Sequence, residues 1–140
     1  MLKGIPSILS PELLKVLMEM GHGDEIVLAD GNFPAASHAQ RLVRCDGHRI
    51  VPLLEALYPL FPLDNYVQSP IFLMQPVQGD AEPAVWKTYE NMLQPYPCEQ
   101  LERFHFYERA KKAYAIVATG DTVPYGNIIL KKGVVEPESY

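Results

Sequence analysis

Thirteen prolines divide this chain of 140 residues into short segments, and this division limits the possible folds more than any other feature of the sequence. A proline ends or kinks a helix and interrupts a strand, so the pattern favours mixed structure over a bundle of long helices. With 48% hydrophobic and 21% charged residues, the segments are expected to form one globular domain over residues 1–140. A chain of this length can bury a sufficient core without metals or disulfides.

The first 30 residues predict a helix, a loop and a strand. The sequence Ser-Pro-Glu at residues 10–12 is typical of a helix start, because the serine accepts an amide hydrogen bond and the proline fits the first helical position. Apolar residues then recur with helical spacing. We expect the helix to end at Gly21 in a left-handed cap and a buried strand to cover residues 25–30.

Later segments alternate in the same way. Apolar spacing predicts helices at residues 50–57, 83–93 and 107–112, and strands at 40–44, 71–74, 103–106, 114–119 and 127–130. Apolar strands alternating with helices favour the α/β class, as a single compact layered domain with a mainly parallel central sheet flanked by helices.

The charge balance argues against two kinds of partner. A net charge of -5 disfavours nucleic acid and anionic membranes, which proteins usually approach through a basic face. No apolar run approaches the ~20 residues of a membrane span. Cys45 and Cys98 form no Cys-x-x-Cys motif, so we expect two reduced thiols and a cytoplasmic protein.

His22 is the first candidate for chemistry, because Gly21 and Gly23 flank it. Glycines allow a tight turn that brings the imidazole to an open surface. Imidazole titrates near neutral pH and is suited to proton transfer. The ordinary alternative is a solvated loop histidine without a role.

Two further positions each allow a functional and an ordinary interpretation. Asp30 ends a predicted strand, where ligands of α/β sheets usually bind, but an aspartate there also commonly caps a loop. Tyr125 and Asn127 offer a hydroxyl and an amide to a polyol, and Gly126 between them allows close backbone approach. The same three residues also fit a simple turn into the last strand.

Several common active sites are disfavoured by spacing. His22, Asp24, Asp30 and His38 lack the spacing of known metal-binding motifs, so no metal is expected. The dinucleotide-binding glycine pattern and the serine hydrolase elbow are also absent from the sequence. We therefore expect neither a bound dinucleotide nor serine hydrolase chemistry.

The order of the motifs carries a family resemblance. It is formed by Gly-His-Gly-Asp at residues 21–24, Ala-Asp at 29–30, Phe-Pro at 33–34, Arg-Phe-His-Phe-Tyr-Glu-Arg-Ala at 103–110, and Tyr-Gly-Asn-Ile-Ile-Leu at 125–130. Together these motifs resemble the L-fucose mutarotases and, more remotely, the D-ribose pyranases. Arg103 and Gly126 favour the fucose branch over the ribose branch.

The resemblance implies a cytoplasmic, cofactor-free isomerase that interconverts the α and β anomers of L-fucose. It also implies a ring-like homo-oligomer, commonly a decamer. The proton donor of the family falls on His22, and Tyr107 is a further catalytic candidate. The substrate-binding residues implied are Asp30, Asp64, Arg103, Tyr125, Gly126 and Asn127.

The residue types suit this chemistry. Mutarotation needs one proton delivered to the ring oxygen while another leaves the anomeric hydroxyl, and His22 can exchange protons near pH 7. Asp30 is expected to orient His22 or to accept a sugar hydroxyl. Two alternatives stay open: a sugar-binding or assembly module without catalysis, and a pyranase or mutarotase acting on D-ribose or another monosaccharide.

Overall fold

Strands and helices alternate along the computed structural model, which describes residues 1–139. Within these residues, the five helices are α1 (Pro11–Glu19), α2 (Ala35–His38), α3 (Ile50–Leu57), α4 (Val85–Met92) and α5 (Arg103–Lys112). The six strands of the same residues are β1 (Glu25–Ala29), β2 (Leu42–Cys45), β3 (Ile71–Met74), β4 (Cys98–Leu101), β5 (Ala115–Thr119) and β6 (Ile128–Lys131). Short turns of 3₁₀ helix lie at Tyr58–Leu60 and Pro137–Ser139.

The six strands form one sheet in the order β2-β5-β1-β6-β3-β4. Strands β2, β5 and β1 pair in parallel, as do β3 and β4, whereas β6 runs antiparallel between β1 and β3. The predicted α/β domain with a mainly parallel sheet is confirmed. Five strands run in the same direction, so their last residues meet at one end of the sheet, the carboxyl end, and their first residues meet at the other, the amino end.

Helices cover both faces of the sheet. Ile26 and Leu28 of β1 join a buried cluster with residues of α1, α3 and α4. Val27 and Ala29 point to the opposite face and join a second cluster with residues of α2 and α5. Alternate residues of β1 therefore lie in different buried clusters. Because both faces of the strand are buried, its sequence is a continuous apolar run.

Helix α1 begins as predicted and ends differently. The Ser10 hydroxyl accepts a hydrogen bond from the Leu13 amide at 3.1 Å, and Pro11 is the first helical residue. At the other end, Met20 is extended rather than left-handed, and the positive φ of 88° belongs to Gly23. The prediction of a left-handed cap at Gly21 is wrong, because the chain turns two residues later.

The region around Arg103 also corrects the sequence prediction. Residues 103–106 are helical instead of extended, and the strand lies earlier, at Cys98–Leu101. The cause is Glu102, whose carboxylate accepts hydrogen bonds from the amides of Phe104 and His105 at 2.9 and 3.2 Å. This cap begins the helix four residues before the apolar spacing indicates.

Both cysteines are unpaired, as predicted. Burial, together with the charge of Glu90, raises the pKa of Cys98 to about 11, and burial also raises the pKa of Cys45. Both thiols therefore stay protonated at neutral pH and are poor nucleophiles. Among the helices of residues 1–139, none combines the length and apolar character needed to cross a membrane.

Candidate active site

The loop between α1 and β1 holds His22 at the amino end of the sheet. The Asp24 carboxylate accepts a hydrogen bond from the Gly21 amide at 2.7 Å and so closes the turn. The Gly23 amide donates to the Lys132 carbonyl at 2.8 Å, and the Lys132 amide donates to the Asp24 carbonyl at the same distance. These bonds fix the loop backbone, while 46% of the His22 side chain stays exposed.

Asp64 is the direct partner of His22. The His22 Nε2 atom lies 3.2 Å from Asp64 Oδ1, and the carboxylate is almost fully buried. The same oxygen accepts a hydrogen bond from the Tyr66 amide at 3.0 Å, while the Asp64 amide donates to the Lys131 carbonyl. No hydrogen bond of the described residues engages His22 Nδ1, so this nitrogen is free to exchange a proton.

Asp64 keeps its charge despite its burial. Burial by itself would raise its pKa, but hydrogen bonds from the Tyr66 amide and from His22, with the charge of Lys131, bring the pKa below its ordinary value. Since the pKa is lower in the folded state, ionised Asp64 stabilises the fold above its unfolded pKa. This contribution is lost as the pH falls through the folded value. At neutral pH a carboxylate therefore faces the imidazole.

Tyr66 was not predicted from the sequence, although it touches this pair. Its ring centroid lies 5.4 Å from that of His22, at an interplanar angle of 52°. The ring is largely exposed, so it forms an aromatic wall beside the imidazole instead of part of the core. The Asp-x-Tyr spacing, which lets an aspartate bond the amide two residues on, is the only signal in the sequence.

Asp30 and Asn127 meet at the carboxyl end of the sheet. The Asp30 amide donates to Asn127 Oδ1 at 2.7 Å, and Asp30 Oδ1 accepts from the Asn32 amide at 2.9 Å. Burial raises the pKa of Asp30, and the charge of Asp121 acts in the same direction, against the hydrogen bonds that stabilise the carboxylate. Burial therefore disfavours the charged form of Asp30 relative to an exposed aspartate.

The turn 125–127 is built around backbone contacts. Tyr125 has a positive φ of 57°, and its carbonyl accepts a hydrogen bond from Trp86 Nε1 at 2.9 Å. The Gly126 carbonyl accepts from the Tyr89 hydroxyl at 2.6 Å, and its amide donates to the Val123 carbonyl. Both polar groups of Gly126 are occupied, and a Cβ there would lie 3.1 Å from the Val123 oxygen. The structure thus gives Gly126 a packing role.

Arg103 and Tyr107 lie one turn apart on α5. The Arg103 side chain is exposed, its guanidinium carbon lies 4.8 Å from the Phe104 ring centroid, and it lines a cavity of about 480 Å³ with residues 75–78. Tyr107 packs edge-to-face against Phe33 and His38, with centroid distances of 5.5 and 5.6 Å. Aromatic packing thus fixes Tyr107, while none of the hydrogen bonds described for residues 1–139 occupies the Arg103 donors.

The candidate residues form two groups at opposite ends of the sheet. His22 and Asp64 lie at the amino end, whereas the residues at the carboxyl end are Asp30, Arg103, Tyr107, Tyr125, Gly126 and Asn127. The five residues of β1 separate the groups, and strands advance about 3.3 Å per residue, so roughly 16 Å lies between them. Of the two roles considered for Asp30, orienting His22 does not occur within this copy of the chain, because the two residues lie at opposite ends of β1. Asp64 is the carboxylate at the imidazole.

Comparison with known proteins assigns the family. The RbsD / FucU transport protein family matches residues 3–135. The chain belongs to this family. The fucose mutarotase of Mus musculus is 55% identical over 146 residues, covering 96% of this chain and 95% of the relative. The L-fucose mutarotase of Histophilus somni (strain 2336) is 50% identical over 140 residues, covering 96% and 97%.

A solved structure of the RbsD / FucU fold extends the likeness to three dimensions. The fucose mutarotase of Streptococcus pneumoniae, solved in complex with L-fucose, has a TM-score of 0.94 and 57% sequence identity. The match covers 96% of this chain and 100% of that chain. The resemblance to L-fucose mutarotases expected from the ordered motifs is thus confirmed.

Asp121 connects the two loops of the candidate site that carry Asp30 and Tyr125, although it was not singled out in the sequence. Its carboxylate accepts hydrogen bonds from the amides of Ile50 and Val123 at 2.9 and 3.0 Å, and its carbonyl accepts from the Gly31 amide at 2.8 Å. The Ile50 contact also caps α3, which lacks a side-chain cap of its own. No local motif reveals a cap supplied from 71 residues away.

Replacing Asp121 with alanine is therefore expected to destabilise the protein. Two buried or partly buried amides would lose their acceptor, and the expected decrease in the free energy of unfolding is about 2 to 4 kcal/mol. Urea denaturation measures it. Asp46→Ala is the matched control, because among the described side-chain contacts Asp46 has just an exposed ion pair with Arg44, which water screens. Equal stability of the two variants would contradict the role of Asp121.

Proposed function

We propose that this chain, acting as one domain over residues 1–140, interconverts the α and β anomers of L-fucose. The observation that carries the proposal is the likeness of nearly the whole chain to fucose mutarotases, one of them solved with L-fucose. The His22–Asp64 pair supports it, because a partly exposed imidazole backed by a buried carboxylate is suited to proton transfer.

The reaction requires two proton movements and no net change in composition. One proton is delivered to the ring oxygen, another leaves the anomeric hydroxyl, and the bond between the anomeric carbon and the ring oxygen breaks. The product is an open-chain aldehyde. Rotation of the carbonyl and the reverse movements close the ring on either face, giving both anomers.

His22 and Asp64 are proposed to supply the first proton transfer. With Nε2 directed at Asp64, the imidazole offers Nδ1 to the sugar. The buried carboxylate accepts from Nε2–H and stabilises the imidazolium, and this protonated form gives its Nδ1 proton to the ring oxygen. The neutral imidazole that is left takes the proton back when the ring closes. Tyr107 is the second catalytic candidate, since none of the described hydrogen bonds uses its hydroxyl. Its phenol can relay the other proton: it accepts the proton of the anomeric hydroxyl while it releases its own to water, and the reverse relay accompanies ring closure.

The remaining polar groups at the carboxyl end are proposed to hold the sugar. Arg103 presents a fork of donors that none of the described hydrogen bonds occupies, and such a fork suits vicinal hydroxyls. Asn127 keeps its amide donors after its oxygen has accepted the Asp30 amide. Asp30 is an acceptor for a sugar hydroxyl, and Gly126 lets the backbone of the turn approach the sugar closely.

The site is proposed to lie between two copies of the chain. A single monosaccharide cannot bridge the roughly 16 Å that separates His22 from Asp30 within one copy. If the amino end of one copy faces the carboxyl end of the next, the two groups come together, and repetition of this heterologous contact closes a ring. A decameric ring in the cytoplasm is the form that the family resemblance implies, and sedimentation measures its size.

Exchange NMR on the anomeric protons tests the proposed reaction. We expect the protein to accelerate α/β exchange of L-fucose more than that of D-ribose or galactose at equal concentration. General acid-base assistance predicts an acceleration of about 100- to 10,000-fold at saturation. If the protein accelerates the exchange of D-ribose more than that of L-fucose, it acts as a member of the D-ribose pyranase branch instead. Binding of L-fucose without accelerated exchange would contradict catalysis and identify a sugar-binding module.

A further inference from the structure

Asp80 is attached to the candidate site through the phenol of Tyr125. The Tyr125 hydroxyl donates a hydrogen bond to Asp80 Oδ2 at 2.6 Å and accepts one from the Val77 amide at 3.3 Å. Neither Asp80 nor Val77 was singled out in the sequence. Both lie in the loop that follows β3 at the carboxyl end of the sheet, beside the residues proposed to bind sugar.

The loop holds Asp80 in place by a local turn. The Asp80 amide donates to the Val77 carbonyl at 3.0 Å, and Gly79 supplies the positive φ of 96° that the turn needs. Val77 also lines the cavity that contains Arg103. The loop therefore forms the wall between Arg103 and the Tyr125 phenol.

The backbone of Tyr125 is fixed independently of its side chain. Its left-handed conformation is unfavourable for a residue with a Cβ and persists only where neighbours impose it. Trp86 of α4 donates a hydrogen bond to the Tyr125 carbonyl, and Tyr89 of the same helix donates one to the Gly126 carbonyl. Helix α4 thus fixes the backbone from which the Tyr125 side chain extends, and Asp80 fixes the position of its hydroxyl.

We propose that Asp80 is a positioning residue that makes the Tyr125 phenol a hydrogen-bond acceptor for the sugar; this inference rests on the proposed function. A phenol has one donor and two acceptor positions. Asp80 takes the donor and the Val77 amide takes one acceptor position, so one acceptor position is left. That position suits a sugar hydroxyl that donates.

The charges around the phenol agree with this assignment. The hydrogen bond to the Asp80 carboxylate raises the pKa of Tyr125, against the smaller opposing effects of the Val77 amide and of Arg103. The phenol therefore keeps its proton on the Asp80 side. A hydrogen bond to a carboxylate also polarises the phenol and strengthens its oxygen as an acceptor.

Asp80→Ala should raise the KM for L-fucose and leave kcat nearly unchanged, because the phenol loses its orientation while His22 is untouched. The loss of one orienting hydrogen bond predicts an increase of about three- to ten-fold in KM. Asp80→Asn keeps an acceptor oxygen and should restore most of the affinity. Glu82→Ala is the matched control, since Glu82 is an exposed acid of the same loop and makes none of the described hydrogen bonds; its KM should not change.

A double-mutant cycle separates positioning from a general effect on the loop. In a Tyr125→Phe background, Asp80→Ala should cause no further increase in KM, because the phenol through which Asp80 acts is gone. Equal effects of Asp80→Ala in both backgrounds, or an unchanged KM in the single variant, would overturn the proposal. Either result would leave the mutarotase function standing if the unmodified protein is active.

Affinity for L-fucose, measured by NMR titration, provides the second readout. If the unmodified protein binds L-fucose without accelerating exchange, the mutarotase proposal fails. The role of Asp80 is then tested by the same double-mutant cycle, with the Kd for L-fucose measured in place of KM. An increase in Kd that disappears in the Tyr125→Phe background supports the inference. If the protein neither binds L-fucose nor accelerates its exchange, both proposals are overturned.

Discussion

His22→Ala is expected to abolish the catalysed exchange of L-fucose anomers. The imidazole is the group proposed to deliver a proton to the ring oxygen, and its removal should cost at least about 100-fold in kcat. Since 46% of the side chain is exposed, the fold should tolerate the change. Exchange NMR measures the rate, and titration with L-fucose should show that binding is partly retained.

Two further variants test whether His22 acts together with Asp64. Asp64→Asn retains an acceptor for His22 Nε2 but removes the negative charge, so we expect a smaller loss than for His22→Ala. Groups that act as a unit are not additive, and the double variant should be no slower than His22→Ala alone. His48→Ala is the control, because His48 is also an exposed histidine but lies outside the site. A His22→Ala variant with normal exchange would remove the histidine from the mechanism.

The fold was largely predictable because the strongest signals are local. The cap at Ser10 and the apolar run of β1 each depend on neighbouring residues, and both elements form where the sequence indicates. The prediction failed at residues 103–106, where the apolar pattern resembles a strand but the Glu102 carboxylate begins a helix. Strand order was not predictable, since β6 inserts between β1 and β3 through contacts distant in sequence.

The candidate site was predictable as a set of residues but not as an arrangement. Family resemblance selects His22, Asp64 and Asp30, yet only the structure pairs His22 with Asp64 and moves Asp30 to the other end of β1. Residues that support others were missed, because their contacts cross the chain. Asp121 binds an amide 71 residues away, and Tyr125 binds Asp80 across 45 residues.

Mixed oligomers should recover activity that neither parent variant has. If His22 and Arg103 of one site come from different copies, His22→Ala and Arg103→Ala can complement each other. In a ring assembled at random from equal amounts, about one quarter of the sites would combine an intact His22 with an intact Arg103. Two differently tagged variants are co-expressed, purified by both tags and assayed at low L-fucose concentration. The expected kcat/KM is about one quarter of that of the unmodified protein.

The matched control mixes His22→Ala with Asp64→Ala. These two side chains contact each other within one copy, so every site receives either the altered histidine or the altered aspartate. No recovery is expected, although the subunits mix in the same way. If the first mixture shows only the mean of its parents, His22 and Arg103 do not share a site. Recovery in the first mixture alone would establish that one copy supplies the acid-base pair and its neighbour supplies the sugar-binding groups.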